Sequence, residues 1–247
     1  MADAEGGAMK LAQRARGFLS LIYPPSCEGC GAGVELPNYL CEKCGAGAVR
    51  IEAPFCEVCS EPFRGAITGA FTCANCGDRK FHFTHAVARY RSEGIVRDFI
   101  YRFKYWREFQ LRHPLACWAA EALEDDRIRR EPVHALVPVP LFVARERHRE
   151  FNQAAELARL VGGRAGIAVS DCMLRIRNTN SQLTHDRQGR MENLRNAFRM
   201  RHNKDVHGRH LVLVDDVLTT GSTLDECARV LLKAGAASVR AITVARG

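Results

Sequence analysis

Missing from this chain is any apolar run approaching the ~18 residues that a membrane-spanning helix needs. The one hydrophobic patch near the start, Phe18 to Tyr23, is also too short for the core of an export signal. The expectation is therefore a cytoplasmic protein with no membrane span, whose thiols stay reduced. Two nucleotide-binding fingerprints are absent as well. There is no GxxxxGK[ST] loop, and no GxGxxG follows any strand-like segment, which excludes a Walker-type site and a Rossmann dinucleotide site. The chain has no low-complexity linker and no internal repeat beyond a short cysteine motif. It also lacks an evident stacking platform of interleaved aromatics for a nucleic-acid strand. Phe99, Tyr101, Phe103, Tyr105 and Trp106 come closest, but their helical spacing predicts core packing.

What is present is an ordinary globular composition. Of 247 residues, 47% are hydrophobic and 26% charged, enough for one main domain and a smaller one. Net charge is +8 and the isoelectric point about 9.1, a balance that attracts polyanions such as nucleic acid or phosphorylated small molecules. Arginines concentrate past residue 140, at Arg145, Arg147, Arg149, Arg175, Arg177, Arg187, Arg190 and Arg195.

Eight of the eleven cysteines form four CxxC pairs: Cys27/Cys30, Cys41/Cys44, Cys56/Cys59 and Cys73/Cys76. Two thiolates at this spacing grip one tetrahedral metal, and two such pairs complete a four-cysteine site. Gly31, Gly45, Ser60 and Gly77 follow the knuckles, where the turn is sharp. Sequential pairing predicts two structural Zn2+ ions, and crossed pairing is the alternative. A reducing compartment argues against disulfides, and no βαβ pattern surrounds a pair to suggest redox chemistry. Cys117, Cys172 and Cys227 stand alone in apolar surroundings, which predicts core packing.

The remaining pattern alternates strand and helix. A basic amphipathic helix is expected within 10–23, ahead of the cysteines. Strand character appears at 82–90, 135–140, 211–214 and 238–245. Helical spacing appears at 94–106, 114–123, 151–161 (closed by Gly162-Gly163) and 224–234 (closed by Gly235). This order predicts an α/β domain with a parallel sheet and right-handed crossovers, and ligands at the carboxyl ends of its strands.

One segment lies at such an end. In LVLVDDVLTTGSTLDE, a buried strand runs into Asp215 and Asp216, whose side chains point to opposite sides. Thr219, Thr220, Gly221, Ser222 and Thr223 then supply N–H groups and hydroxyls. Thr223 and Glu226 read as a capping box, which places the turn at a helix N-terminus where a phosphate is favoured. Donors for a phosphate beside carboxylates for ribose hydroxyls make a sugar-phosphate cradle.

The acid-acid, two-spacer, TTGST order resembles the motif of phosphoribosyltransferases, which bind phosphoribosyl pyrophosphate (PRPP). With the zinc knuckles and VPVPL (Val137 to Leu141), the chain from about residue 18 resembles the ComF family. These are phosphoribosyltransferase-like proteins with an amino-terminal double zinc ribbon, associated with DNA uptake and use of DNA as a nutrient. The resemblance implies a zinc-ribbon module over 18–80 and a type I phosphoribosyltransferase-like α/β domain over 81–247. It implies PRPP with Mg2+ as ligand. Asp215 and Asp216 would act on the ribose, Thr219 to Thr223 on the 5′-phosphate, and Val139 and Pro140 in the pyrophosphate loop. Arg145, Arg147 and Lys104 would neutralise the departing pyrophosphate. It also implies single-stranded DNA and other DNA-uptake proteins as partners. RHREFNQ departs from the family's RxRGFNQ by carrying Glu150 where glycine is usual. Leu174, Arg175, Thr179 and Gln182, then Arg190, Asn193, Ala197 and Phe198, match the family's mobile-loop pattern. Asn152 and Gln182 suit structural hydrogen bonding as well as ligand contact.

Overall fold

Short apolar runs without a polar face require a covering layer on each side, and the sheet is built from them. The computed structural model describes residues 24–178 and 194–247, except 36, 64, 66 and 68. Among these, six strands form: β1 (Ala86–Arg91), β2 (Ala135–Pro138), β3 (Met173–Arg175), β4 (Phe198–Met200), β5 (His210–Leu218) and β6 (Ser238–Arg246). A four-stranded sheet runs in the order β1-β6-β5-β2 with every pair parallel, and β3 and β4 make a separate antiparallel pair. All nine residues of β6 are buried, as a central parallel strand requires. Each fully buried Val, Leu or Ile here contributes about 1.5–3 kcal/mol.

The main helices are α1 (Glu42–Ala46), α2 (Ala74–Gly77), α3 (Gly94–Tyr105), α4 (Arg112–Ala120), α5 (Asp126–Arg129), α6 (Val143–Arg149), α7 (Gln153–Ala165) and α8 (Ser222–Lys233). α4 and α7 pack together, α4 against β6 and α7 against β2 and β5, while α8 packs on β4, β5 and β6. No helix of the described residues is long and apolar enough to cross a membrane. The expected helix at 10–23 lies outside the described residues.

The chain divides into two compact units between Gly47 and Ala48. The first carries the Cys27/Cys30 and Cys41/Cys44 knuckles. The second carries the other two knuckles together with the whole sheet. Cys56, Cys59, Cys73 and Cys76 belong to the same continuous core as Phe83, Leu213, Leu218 and Leu224. Arg127 locks this ribbon to α5: its guanidinium donates to the carbonyls of Cys56 and Glu57 at 3.3 and 3.0 Å and pairs with Asp125.

Several expectations change, three of them near the carboxyl end of the sheet or on its covering helices. β5 does not stop at Val214, because Asp215, Val217 and Leu218 still pair with Thr243, Ala245 and Arg246. The acids therefore sit within the paired length of the strand. α7 runs through Gly162-Gly163 to Ala165 and stops at Gly166, whose φ of 66° provides the left-handed cap. Gly162 is a packing residue: a Cβ there would sit 2.6 Å from the Ile167 carbonyl. The aromatic segment is divided. Phe99 and Phe103 enter the core as expected, but Tyr101, Tyr105 and Trp106 are exposed.

Candidate functional site

Alternation along β5 places its two acids on different faces of the sheet. Asp216 faces α3, where the Lys104 ammonium donates to its Oδ1 at 2.6 Å, with both side chains largely buried. Asp215 faces α8 and the fully buried Cys227, with Arg175 within electrostatic reach. Burial first, then the charge of Asp216, push the Asp215 carboxyl up to about 7, while Lys104 and Arg175 pull it back. Burial also drives the Cys227 thiol well above its ordinary range, so it is an inert core group.

Beyond β5 the chain turns at Gly221 (φ 77°), which starts α8 without a side chain to cap it. Thr220 Oγ1 and Ser222 Oγ lie 3.0 Å apart across the turn. The first-turn N–H groups and the positive end of a twelve-residue helix thus face the loop, a setting that favours an anion. The expected capping box is not formed. Thr223 is already the second helical residue, and Glu226 is buried and committed elsewhere. It accepts the Asn196 N–H at 2.7 Å and a forked pair of bonds from Arg229 at 2.8 and 2.7 Å. These bonds hold its carboxyl below the usual range despite burial.

The second ribbon buttresses this loop from behind. Arg79 donates to the Thr220 carbonyl at 3.3 Å and to Asn75 of α2 at 3.4 Å. His82 offers its backbone N–H and Nδ1 to Asp225 Oδ1, at 2.6 and 3.0 Å. Phe81 and Phe83 stack at 4.6 Å beneath Gly221. No sequence motif marks Arg79, Phe81, His82 or Asp225, because each meets its partner across about 140 positions of chain. A Cβ on Gly221 would meet Phe81 at 3.3 Å in a backbone conformation that disfavours any side chain. Gly221→Ala is expected to lower stability by about 1–2 kcal/mol. Thermal denaturation checks this, and an unshifted midpoint would show that the loop relaxes freely.

At the neighbouring strand end, Val139 donates to the Val214 carbonyl and is buried together with Pro140. Asn152 is structural: it caps α7 by accepting from Ala154 and Ala155, and it donates to the Val139 carbonyl at 3.1 Å. Glu150 takes φ 69°, the left-handed conformation that explains a glycine preference at this point, and pairs with Arg107 at 2.7 Å. Arg145 and Arg147 lie on α6. Arg145 is half-buried within reach of Arg175, and Arg147 is exposed. Leu174, Arg175, Ala197 and Phe198 lie in or beside the β3–β4 pair, where the Arg175 guanidinium sits 5.3 Å from the Phe198 ring. Thr179, Gln182, Arg190 and Asn193 lie outside the described residues.

The cysteines cluster in sequential order, Cys27/Cys30/Cys41/Cys44 and Cys56/Cys59/Cys73/Cys76, each set with its sulfurs within 4.8 Å of one another. Close pairs stand at 3.7 Å (Cys30–Cys41) and 3.6 Å (Cys59–Cys73). A tetrahedron with zinc–sulfur bonds of ~2.3 Å has edges of about 3.8 Å, close to these spacings, so the donor chemistry and closeness of both sets suit zinc. Within each set the thiols act on one another: burial and neighbouring thiols raise Cys44, Cys59 and Cys76, while Cys27 and Cys56 are lowered. The Cys59 side chain, then the Cys73 and other backbone N–H groups, hold Cys56 down to about 4 against burial. Burial opposes ionisation of Cys27, yet N–H groups of Cys41, Gly29 and Cys30 lower it to about 6. Gly31 and Ser60 carry the positive φ expected after a knuckle, while Gly45 and Gly77 fall in one-turn helices instead.

A double zinc ribbon domain matches residues 18–78, and a phosphoribosyl transferase domain matches residues 136–247. The DNA utilization protein YhgH of Salmonella typhi is 32% identical over 224 residues, covering 89% of this chain and 96% of that protein. Competence protein F of Haemophilus influenzae is 32% identical over 151 residues, 60% of this chain and 66% of that protein. The solved glutamine PRPP amidotransferase from B. subtilis overlaps to a limited degree, with TM-score 0.35 and 19% identity over 53% of this chain and 25% of that one. Two clusters of four cysteines, a phosphoribosyl transferase domain and near full-length relatives at this identity give one conclusion: the chain belongs to the ComF family of competence and DNA-utilization proteins.

Proposed function

We propose that this protein binds PRPP with Mg2+ at the β5–α8 turn and transfers its phosphoribosyl group. The observation that carries the reading is the succession of Asp215, Asp216 and an uncapped helix start, with Lys104 already on Asp216. Asp215 and Asp216 accept hydrogen bonds from the two ribose hydroxyls. Backbone N–H groups and hydroxyls from Thr219 to Thr223 hold the 5′-phosphate. Val139 and Pro140 shape the pyrophosphate loop, and Lys104, Arg145 and Arg147 offset charge on the leaving group. Mg2+ held on PRPP beside Asp215 and Asp216 would supply positive charge against the PRPP oxygens. A relative's printed name, DNA utilization protein, supports a role in handling DNA or its products. A PRPP sensor without transfer activity would use the same cradle.

Titration of PRPP with Mg2+ tests the site. The Asp215→Ala/Asp216→Ala protein should lose affinity at least about a hundredfold, since two charged hydrogen-bond acceptors go. Undiminished binding would sink the assignment. Pyrophosphate release against a panel of bases and amines then separates transfer from sensing. pH adds a signature. As the Asp215 carboxyl is raised to about 7, it is neutral and a weaker acceptor below that value. PRPP affinity should rise as pH passes upward through about 7, and Asp215→Asn should remove that rise. An identical pH profile in the two proteins would show that Asp215 does not set it.

A further inference from the structure

Each knuckle of the second cysteine set reaches the β5–α8 turn through one arginine. Glu61 follows the Cys56/Cys59 knuckle. Its N–H bonds the Cys59 sulfur, and its carbonyl accepts the Cys56 N–H at 2.8 Å. The Glu61 carboxylate pairs with Arg246 at the end of β6, whose side chain is 8% exposed. Arg246 in turn donates from Nη1 to the Leu218 carbonyl at 2.9 Å. Arg79 follows the Cys73/Cys76 knuckle and donates its N–H to the Cys76 carbonyl at 3.4 Å. Its guanidinium donates to the Thr220 carbonyl, and its place is kept by Asn75 and by the Phe81 ring 4.4 Å away.

The two carbonyls flank Thr219, and that spacing matters because a trans peptide is planar. Its C=O and the N–H of the next residue point in opposite directions. A Leu218 carbonyl drawn back to Arg246 turns the Thr219 N–H away from β6. A Thr220 carbonyl drawn back to Arg79 turns the Gly221 N–H away from the second ribbon. A turn centred on glycine is otherwise free to flip these peptides, and a flipped peptide offers an anion its carbonyl oxygen. Neither arginine needs to touch the ligand to decide this.

We propose that Arg79 and Arg246 are positioning residues that aim the Thr219 and Gly221 N–H groups at the 5′-phosphate, and that through them PRPP binding is linked to metal retention by the second cysteine set. The inference rests on the reading of this turn as the PRPP cradle. Metal that fixes the two knuckles holds Glu61 and Arg79 in place, which keeps the turn ready for the anion. Linkage is reciprocal, so a ligand that fixes the turn tightens metal in the same knuckles.

The test uses the full chain and follows two quantities. One is PRPP affinity in the presence of Mg2+, by calorimetry. The other is zinc retention at equilibrium with TPEN, a chelator that spares Mg2+. Arg79→Met should weaken PRPP binding at least about tenfold, and Arg79→Lys should restore it to within about threefold, since an ammonium can also donate to the Thr220 carbonyl. Glu61→Ala frees the other arginine without emptying its buried position and should weaken PRPP binding at least about threefold. Near-UV circular dichroism should show all three variants folded, which separates lost aim from lost structure. In Cys30→Ser protein, where zinc is confined to the second set, saturating PRPP should raise the TPEN concentration that removes half the zinc at least about fivefold. Adding Arg79→Met should cut that increase to within about twofold. Undiminished PRPP affinity in folded Arg79→Met and Glu61→Ala proteins, or zinc retention indifferent to saturating PRPP, would overturn this inference and leave the site reading standing. A wild-type chain that binds no PRPP would overturn the site reading and this inference with it.

Discussion

Cys59→Ser is expected to abolish the cooperative thermal transition of residues 48–247, whereas Cys30→Ser should leave that transition in place. The difference follows from where each sulfur lies. Cys59 is 2% exposed and packs in the core that also holds Phe83, Leu213 and Leu224, so its metal site is part of the sheet's own interior. Structural zinc contributes about 10–16 kcal/mol of apparent binding free energy in small modules, as much as the whole stability of an ordinary domain. A weakened second site should also withdraw Arg79 and His82 from the β5–α8 turn. Cys30 is exposed and belongs to the unit before Ala48. Its loss should reduce bound zinc from two ions to one without moving the larger unit's midpoint. Calorimetry with metal analysis decides the matter, and a normal transition in the Cys59→Ser protein would contradict it.

Lys104→Ala should have the next largest effect, through the carboxylate it leaves behind. Asp216 is 9% exposed and its Oδ1 receives the lysine at 2.6 Å. Removing one member of such a pair costs about 3–5 kcal/mol, most of it the uncompensated charge. Lys104 also holds down the Asp215 carboxyl, whose titration should move above about 7 once the ammonium is gone. Urea denaturation measures the first effect. A Lys104→Met protein that is as stable as wild type would point instead to lost packing of the lysine stem.

The parts legible in the sequence are those with a local cause. Four CxxC spacings dictate two tetrahedral sets because two residues is the reach of a knuckle. Adjacent acids at the end of an apolar run face opposite sides because strand side chains alternate. Glu150 stands out as a departure, and its backbone is the left-handed one that glycine favours. Where local patterns mislead, a distant group intervenes. Glu226 has the spacing of a capping partner, yet Arg229 and Asn196 claim it. Gly162-Gly163 has the look of a stop, but the Ile167 carbonyl shows why Gly162 must be small. The aromatic stripe of α3 satisfies helical periodicity twice over, and burial of Phe99 and Phe103 says nothing about the rings on the other face. The supports of the β5–α8 turn leave no trace, since Arg79 and Thr220 are brought together only by the finished fold.

The pairing of β1 with β6 sets an order of events during synthesis. The ladder neighbour of β1 in the sheet is a strand made some 150 residues later, between Ser238 and Arg246. A chain emerging from the ribosome therefore carries Val87 and Tyr90 without their neighbours until the final segment is out. The second cysteine set, by contrast, has all four of its sulfurs once Cys76 is made. It can capture metal early, well before the β5–α8 turn that Arg79 and His82 later support has been made.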